Sequence, residues 1–111
     1  MSCIFCQIAA RKIPANIVYE DREIIAFDDI APAAKCHKLI IPKKHIPTFN
    51  DWSLDDVKLI SNLLLVAQKI AKDLNIAESG YRIVNNCNRD GGQIIYHLHF
   101  HLLGGELLKN A

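Results

Sequence analysis

An excess of charge of either sign is missing from this 111-residue chain. Thirteen Lys+Arg against twelve Asp+Glu leave a formal net charge of +1, so no long-range field favours nucleic acid or an anionic membrane surface. Lys43 and Lys44 are the only adjacent lysines and read as a solvated loop edge. A small anionic ligand remains compatible with this balance. Long apolar runs are missing as well. Gln7, Arg11, Lys12 and Asn16 break up the first twenty residues, which excludes a signal-peptide core. The apolar-rich stretch 54–76 carries aspartate, lysine and glutamine, so it cannot span a bilayer. Repeats and low-complexity segments are absent. A cytoplasmic protein is therefore expected, in which Cys3, Cys6, Cys36 and Cys87 stay reduced and metal binding is a better reading than disulfides.

What is present fits one domain with its own core, since half of the residues are hydrophobic. "CIFCQIAARKIP" reads as a short helical turn stopped by Pro14. "NIVYE" (16–20) and "EIIAFDD" (23–29) read as two strands around a hairpin at Asp21-Arg22, and "KLIIP" (38–42) as a third strand ended by Pro42. Ser53 and Asp56 have the spacing of a capping box, which satisfies free N–H groups at a helix start. Leu54, Val57, Ile60, Leu64, Ala67, Ile70, Ala71 and Leu74 then recur at intervals of three or four, predicting a helix with one buried stripe that closes at Asn75. "YRIVNN" (81–86) is a fourth strand, "CNRDGG" a turn, and "QIIYHLHFHLL" (93–103) a fifth. Strands, one long helix and further strands predict an α+β fold: about five mainly antiparallel strands with a long helix on one face and a short N-terminal helix.

The last strand carries the chemistry. Alternation places His97, His99 and His101 on one face and Leu98, Phe100 and Leu102 on the core face. Residues two apart on a strand stand roughly 6.5–7 Å apart, so the outer two histidines lie about 13 Å from each other. A single metal held by all three is thereby disfavoured, and divided duties are expected. Imidazole, with a pKa near 6.5, serves as nucleophile, acid, base or neutral ligand around pH 7. Cys3-Ile4-Phe5-Cys6 by itself is open between half a zinc site, a redox pair and two buried thiols. No second Cys-x-x-Cys completes it, and a redox motif would prefer a βαβ context.

"HLHFHLL" resembles the His-φ-His-φ-His-φ-φ signature of the histidine triad (HIT) superfamily. "IFCQIAARKIPANIVYED", "AFDDIAPAAKCHKLIIPKKHI", "GYRIVNN" and "GGQIIYHLHFHLLGG" are similar, in order, to blocks of its Hint-like branch. The resemblance covers most of the chain and implies a single HIT domain over 1–111. It implies a nucleotide-binding hydrolase, a purine nucleoside phosphoramidase working through a nucleotidyl-histidine. Dinucleoside polyphosphate hydrolysis, nucleotidyl transfer and non-catalytic nucleotide sensing are the alternatives. By position, His99 would be the nucleophile, His101 would bond the phosphate or leaving group, and His37 would complete the proton relay. Asp29 would bind the ribose hydroxyls, while Ile4, Phe5, Phe27 and Leu39 would hold the base. Asn86, Gly92 and Gln93 would lie near the phosphates together with His99 and His101. Ile94 stands where relatives commonly carry serine. The resemblance further implies structural zinc on Cys3, Cys6, His45 and His97, and a homodimer. Cys36 and Cys87 would remain plain thiols.

Overall fold

The computed structural model describes residues 3–110. Helix α1 (Ile4–Ala9) is followed by strands β1 (Ile17–Glu20), β2 (Ile24–Asp28) and β3 (Cys36–Pro42). Two 3-10 turns, Phe49–Asp51 and Leu54–Asp56, lead into α2 (Val57–Asp73), and β4 (Tyr81–Val84) and β5 (Phe100–Gly104) complete the fold. The strands form one sheet in the order β1-β2-β3-β5-β4, every neighbouring pair antiparallel. The expected hairpin is present, and Asp21 closes it. Its Oδ1 accepts from the N–H groups of Glu23 (2.8 Å) and Ile24 (2.9 Å), the local bonding that makes aspartate a turn residue.

Two apolar clusters use the two faces of this sheet. On the α2 side, Ile24, Ala26, Ile40, Leu98, Phe100 and Leu102 pack against Leu63, Ala67 and Ile70. On the other side, Ile25, Phe27, Leu39 and Ile41 meet Phe5 and Ile8 of α1. The sheet is thus buried on both faces at its centre, where the sequence pattern suggested cover on only one. Burial on both sides explains why β2 reads as a continuous apolar run rather than as an alternation. The cover on the second face is six residues of helix, too short to span the strands, and that shortness leaves room for a cavity.

The expected capping box closes the 3-10 turn Leu54–Asp56, and α2 follows directly from Val57 with no side-chain cap of its own. Asp55 N–H donates to Ser53 Oγ (3.3 Å), and Ser53 N–H donates to Asp56 Oδ2 (3.1 Å). Asn75, in the left-handed region at φ 60°, ends it. The buried stripe differs in part from the expected one. Leu59, Ile60, Leu63, Val66, Ala67, Ile70 and Ala71 face the sheet, whereas Leu54 (90% exposed), Val57 and Leu64 point outward. A helix rich in leucine and valine offers two apolar rows, and spacing does not say which one the sheet takes.

The fifth strand is also shorter than expected, 100–104 rather than 93–103. Backbone groups before Phe100 are engaged elsewhere. Leu98 N–H donates to Ile46 O (2.6 Å), and His97 O accepts from the ring of His99 (2.7 Å). Segment 93–99 therefore departs from the ladder while still sending Leu98 into the core.

Candidate active site

The register between β3 and β5 assembles the first histidine pair. Leu39 lies opposite His101 and His37 opposite Leu103, so His37 and His101 are diagonal neighbours on one face. Their rings lie 5.1 Å apart, and those of His99 and His101 lie 5.0 Å apart. Hydrogen bonds then settle which nitrogen carries each proton. Ala33 N–H donates to His37 Nδ1 (2.9 Å), so the His37 proton sits on Nε2. That proton points at His101 Nδ1, 2.9 Å away, and at the carboxylate of Asp29, 3.4 Å away. A His101 ring that accepts at Nδ1 carries its own proton on Nε2. His99 has the opposite arrangement: Nδ1–H donates to His97 O, leaving Nε2 with a free lone pair.

Electrostatics keeps these rings neutral. Burial pushes His101 down to about 4, helped by the neighbouring His99 and His37 and opposed by Asp29. His99 is lowered by burial, against the raising effects of its bond to the His97 carbonyl and of Asp29. Burial lowers His37 too, and Asp29 opposes it. Near neutral pH the site holds unprotonated lone pairs rather than imidazolium charge.

A cavity of about 270 Å³ opens beside these rings. Its wall includes Phe5, Phe27, Leu39, Asp29, His99 and His101. Phe5 stands edge-on to Phe27 (5.4 Å between ring centroids) and to His99 (5.2 Å). The two adjacent aspartates are separated by their partners. Asp28 is engaged by Asn16 and Lys38, whereas Asp29 bonds Ala31 N–H through Oδ1 and keeps Oδ2 towards His37. An apolar slot ending in the carboxylates of Asp28 and Asp29 and in two neutral imidazoles suits a flat, uncharged group attached to a hydroxylated and anionic one.

Comparison with known proteins agrees with this geometry. The HIT domain family model matches residues 10–107. The chain belongs to the HIT family. It is 50% identical over 105 residues to the purine nucleoside phosphoramidase of Escherichia coli K12, covering 95% of this chain and 88% of that one. An uncharacterised HIT-like protein of Buchnera aphidicola is 51% identical, with 96% and 94% covered. Among solved structures, a HIT family hydrolase from Legionella pneumophila superposes with a TM-score of 0.96 at 52% identity, covering 97% and 96%. A histidine triad protein from Clostridium difficile gives 0.97 at 43% identity, covering 100% and 96%.

Of the HIT residues named from sequence, Ile4, Asn86 and Gly92 also line the cavity. Gln93 does not. It is buried, with Nε2 donating to Pro47 O (2.9 Å) and Ile95 O (3.1 Å) and Oε1 accepting from Asn88 N–H (2.8 Å). Its side-chain polar atoms brace the turn at 88–95 and tie it to Pro47, so it shapes the site without lining the cavity. Asn86 has a related duty, donating to Gly91 O (2.7 Å), and Gly92 takes φ 82°, which favours glycine. Sequence reading missed the lining residues Ile8, Pro14, Ala15, Asp28, Ile30 and Ile95, which sit in generic apolar, strand-end or turn contexts. It also missed Asn85, whose Nδ2 donates to His99 O (2.9 Å). Ile94, 88% exposed, stands at the cavity rim.

The second constellation is a donor cluster. One ligand atom from each of Cys3, Cys6, His45 and His97 lies within 4.8 Å of all the others. His45 Nδ1 and His97 Nδ1 are 3.2 Å apart, Cys3 Sγ is 3.3 Å from His97 Nδ1, and Cys6 Sγ is 3.4 Å from His45 Nδ1. Tetrahedral zinc with these ligands would set N–N at about 3.3 Å and S–N at about 3.6 Å. His97 Nε2–H donates to Pro42 O (2.7 Å), which leaves Nδ1 as the lone-pair nitrogen facing the cluster. The group can therefore hold a metal. Asp29, His37 and His101 also converge, but the Ala33 N–H on His37 Nδ1 keeps the proton on Nε2, the nitrogen that a metal there would need. Cys36 and Cys87 are free thiols.

Proposed function

We propose that this HIT protein, acting as one domain over 1–111, hydrolyses purine nucleoside phosphoramidates to nucleoside monophosphates through a nucleotidyl intermediate on His99. The observation that carries this reading is the hydrogen bond from His99 Nδ1–H to His97 O. It leaves an unprotonated Nε2 on a ring that lines the cavity, beside a His101 whose proton is on Nε2. The E. coli relative supports both the reaction class and the purine preference.

The reaction then runs in two displacements. His99 Nε2 attacks the α-phosphorus as the bond from phosphorus to the leaving nitrogen breaks, and the amine departs with a proton delivered on the His101 side. Water next attacks the same phosphorus and breaks its bond to Nε2. The hydroxyl stays on phosphorus, and the proton returns to the site. Splitting one displacement into two lowers the barrier of each. His37 sets the His101 tautomer, and Asp29 accepts from the ribose hydroxyls. The base occupies the slot of Ile4, Phe5, Phe27 and Leu39, while Asn86, Gly92 and Gln93 shape the phosphate end.

The metal of the donor cluster is zinc in this reading, held by Cys3, Cys6, His45 and His97. It supplies structural cross-linking of the N-terminal segment to the sheet. Two copies pair as a homodimer, supported by the outward row of Leu54, Val57 and Leu64 and by the free edge of β4. A reducing cytoplasm suits four cysteines that form no disulfide among the described residues.

Rapid mixing with an adenosine phosphoramidate, acid-free quenching and mass spectrometry test the central step. An adenylyl adduct on His99 is expected. His99→Ala should bind AMP and lose turnover at least a thousandfold; a variant that still turns over would sink the nucleophile.

A further inference from the structure

Helix α1 stands between the donor cluster and the His99 ring and touches both. Cys3 caps it, accepting from Cys6 N–H (3.4 Å), and the two thiols reach His97 and His45. Phe5, lying between them in sequence, is only 4% exposed. Its ring meets His97 edge-on at 5.9 Å and His99 at 5.2 Å with an interplanar angle of 89°. A six-residue helix cannot sustain itself, and α1 buries only Phe5 and Ile8. Its position therefore rests on those two side chains in the second apolar cluster and on what its two cysteines are tied to.

A second path runs through His97. Its ring offers Nδ1 to the cluster and Nε2–H to Pro42 O, while its carbonyl takes the proton of His99 Nδ1. β5 begins only at Phe100, so His97 and His99 lie outside the sheet ladder. The ring of His97 anchors its peptide where a strand partner would otherwise do so.

We infer that the Cys3–Cys6–His45–His97 set is a positioning device for His99, acting through Phe5 and the His97 carbonyl. Filled, it holds α1 against the cavity and keeps the His99 lone pair on Nε2. Empty, it releases α1, Phe5 leaves the His99 ring, and the ring exchanges tautomers and orientation. Metal occupancy thereby controls nucleotide binding and nucleophile alignment from outside the cavity. The inference rests on His99 as the nucleophile and deepens that reading by naming what aligns it.

The test compares zinc-loaded and chelator-stripped full-length protein under a thiol reductant, with ¹⁵N-labelled histidine. In the loaded protein, His99 should show a protonated Nδ1 and an unprotonated Nε2. Stripping should move both resonances towards the tautomer average and weaken AMP binding at least tenfold, with far-UV circular dichroism losing no more than the signal of the six α1 residues. Phe5→Leu should keep one zinc per chain and still show part of both effects. If the stripped chain unfolds, His45→Ala provides the same readouts, because His45 is exposed and outside the sheet. Folded stripped protein or His45→Ala with unchanged His99 resonances and unchanged AMP affinity would overturn the inference. Failure of the loaded protein to bind AMP would count against the nucleotide reading, and the His99 resonances would still decide the coupling.

Discussion

Single hydrogen bonds do much of the chemical specification in this protein. Ala33 N–H, the His97 carbonyl and the Pro42 carbonyl each choose a tautomer for one histidine, and three similar rings become three different reagents. His101 gives a pH test of this arrangement. Its folded form takes a proton at about 4, whereas an unfolded histidine does so at 6.5. Between those values the unfolded chain binds the proton first, so this contribution to stability is complete above pH 6.5 and is lost as pH falls towards 4. Melting temperature should therefore drop across that window, and less so in His101→Asn. The same protonation places an N–H on Nδ1 facing His37 Nε2–H, so kcat/KM should fall on acidification with its limb near pH 4 to 5. An NMR titration giving His101 a value near 6.5 would refute both expectations. Asn85→Ala should cost about 1 kcal/mol by removing the bond to His99 O, measured by urea unfolding. The alternating histidines stand out in the sequence by their spacing, whereas Asp29 and the aromatic wall are named through the resemblance alone, since a turn aspartate and a core phenylalanine look ordinary by themselves. Asn85 and the brace formed by Gln93 are not legible, since an amide in a turn looks alike whether it faces a ligand or a backbone carbonyl.

Helix α2 makes the comparable point about elements. Ser53 and Asp56 cap the 3-10 turn from which it continues, and Asn75 ends it, residues with one strong local preference each. Its orientation has no such local signal, because Leu54, Val57 and Leu64 are as apolar as the residues that face the sheet. The contrast can be measured. Leu63→Ala, at a fully buried position, should cost about 2–5 kcal/mol, while Leu54→Ala should stay within about 0.5 kcal/mol when both are measured in the single-chain background of Val57→Glu with Leu64→Glu. Equal losses would restore the stripe read from spacing. β5 shows the limit in a strand. Alternation placed Leu98, Phe100 and Leu102 in the core, but the early end of pairing reflects long-range bonds to Ile46 and within the histidine run. At Gly104, which closes β5, a Cβ would stand 2.8 Å from Ile76 Cδ1, the movable end of its side chain, and 3.3 Å from Tyr81 Cβ, so both neighbours must give a little. Gly104→Ala should lower the melting temperature only slightly, read by differential scanning fluorimetry.

For the whole molecule, assembly is the first quantity to measure. Sedimentation should give twice the chain mass at micromolar concentration, and Val57→Glu with Leu64→Glu should give the single-chain mass while the fold persists. The uneven cover of the sheet has another effect. Phe5, Ile8, Phe27 and Leu39 belong at once to the second apolar cluster and to the cavity wall. A flat ligand entering the slot therefore finishes a core that the chain leaves incomplete. Occupancy at a hundred times Kd adds about 2.7 kcal/mol by mass action, and the added protection against hydrogen exchange should concentrate in residues 3–17 and β2 rather than in α2. The ligand is in that sense a missing layer of the fold, and the abundance of the protein in a cell would track the supply of what fills it.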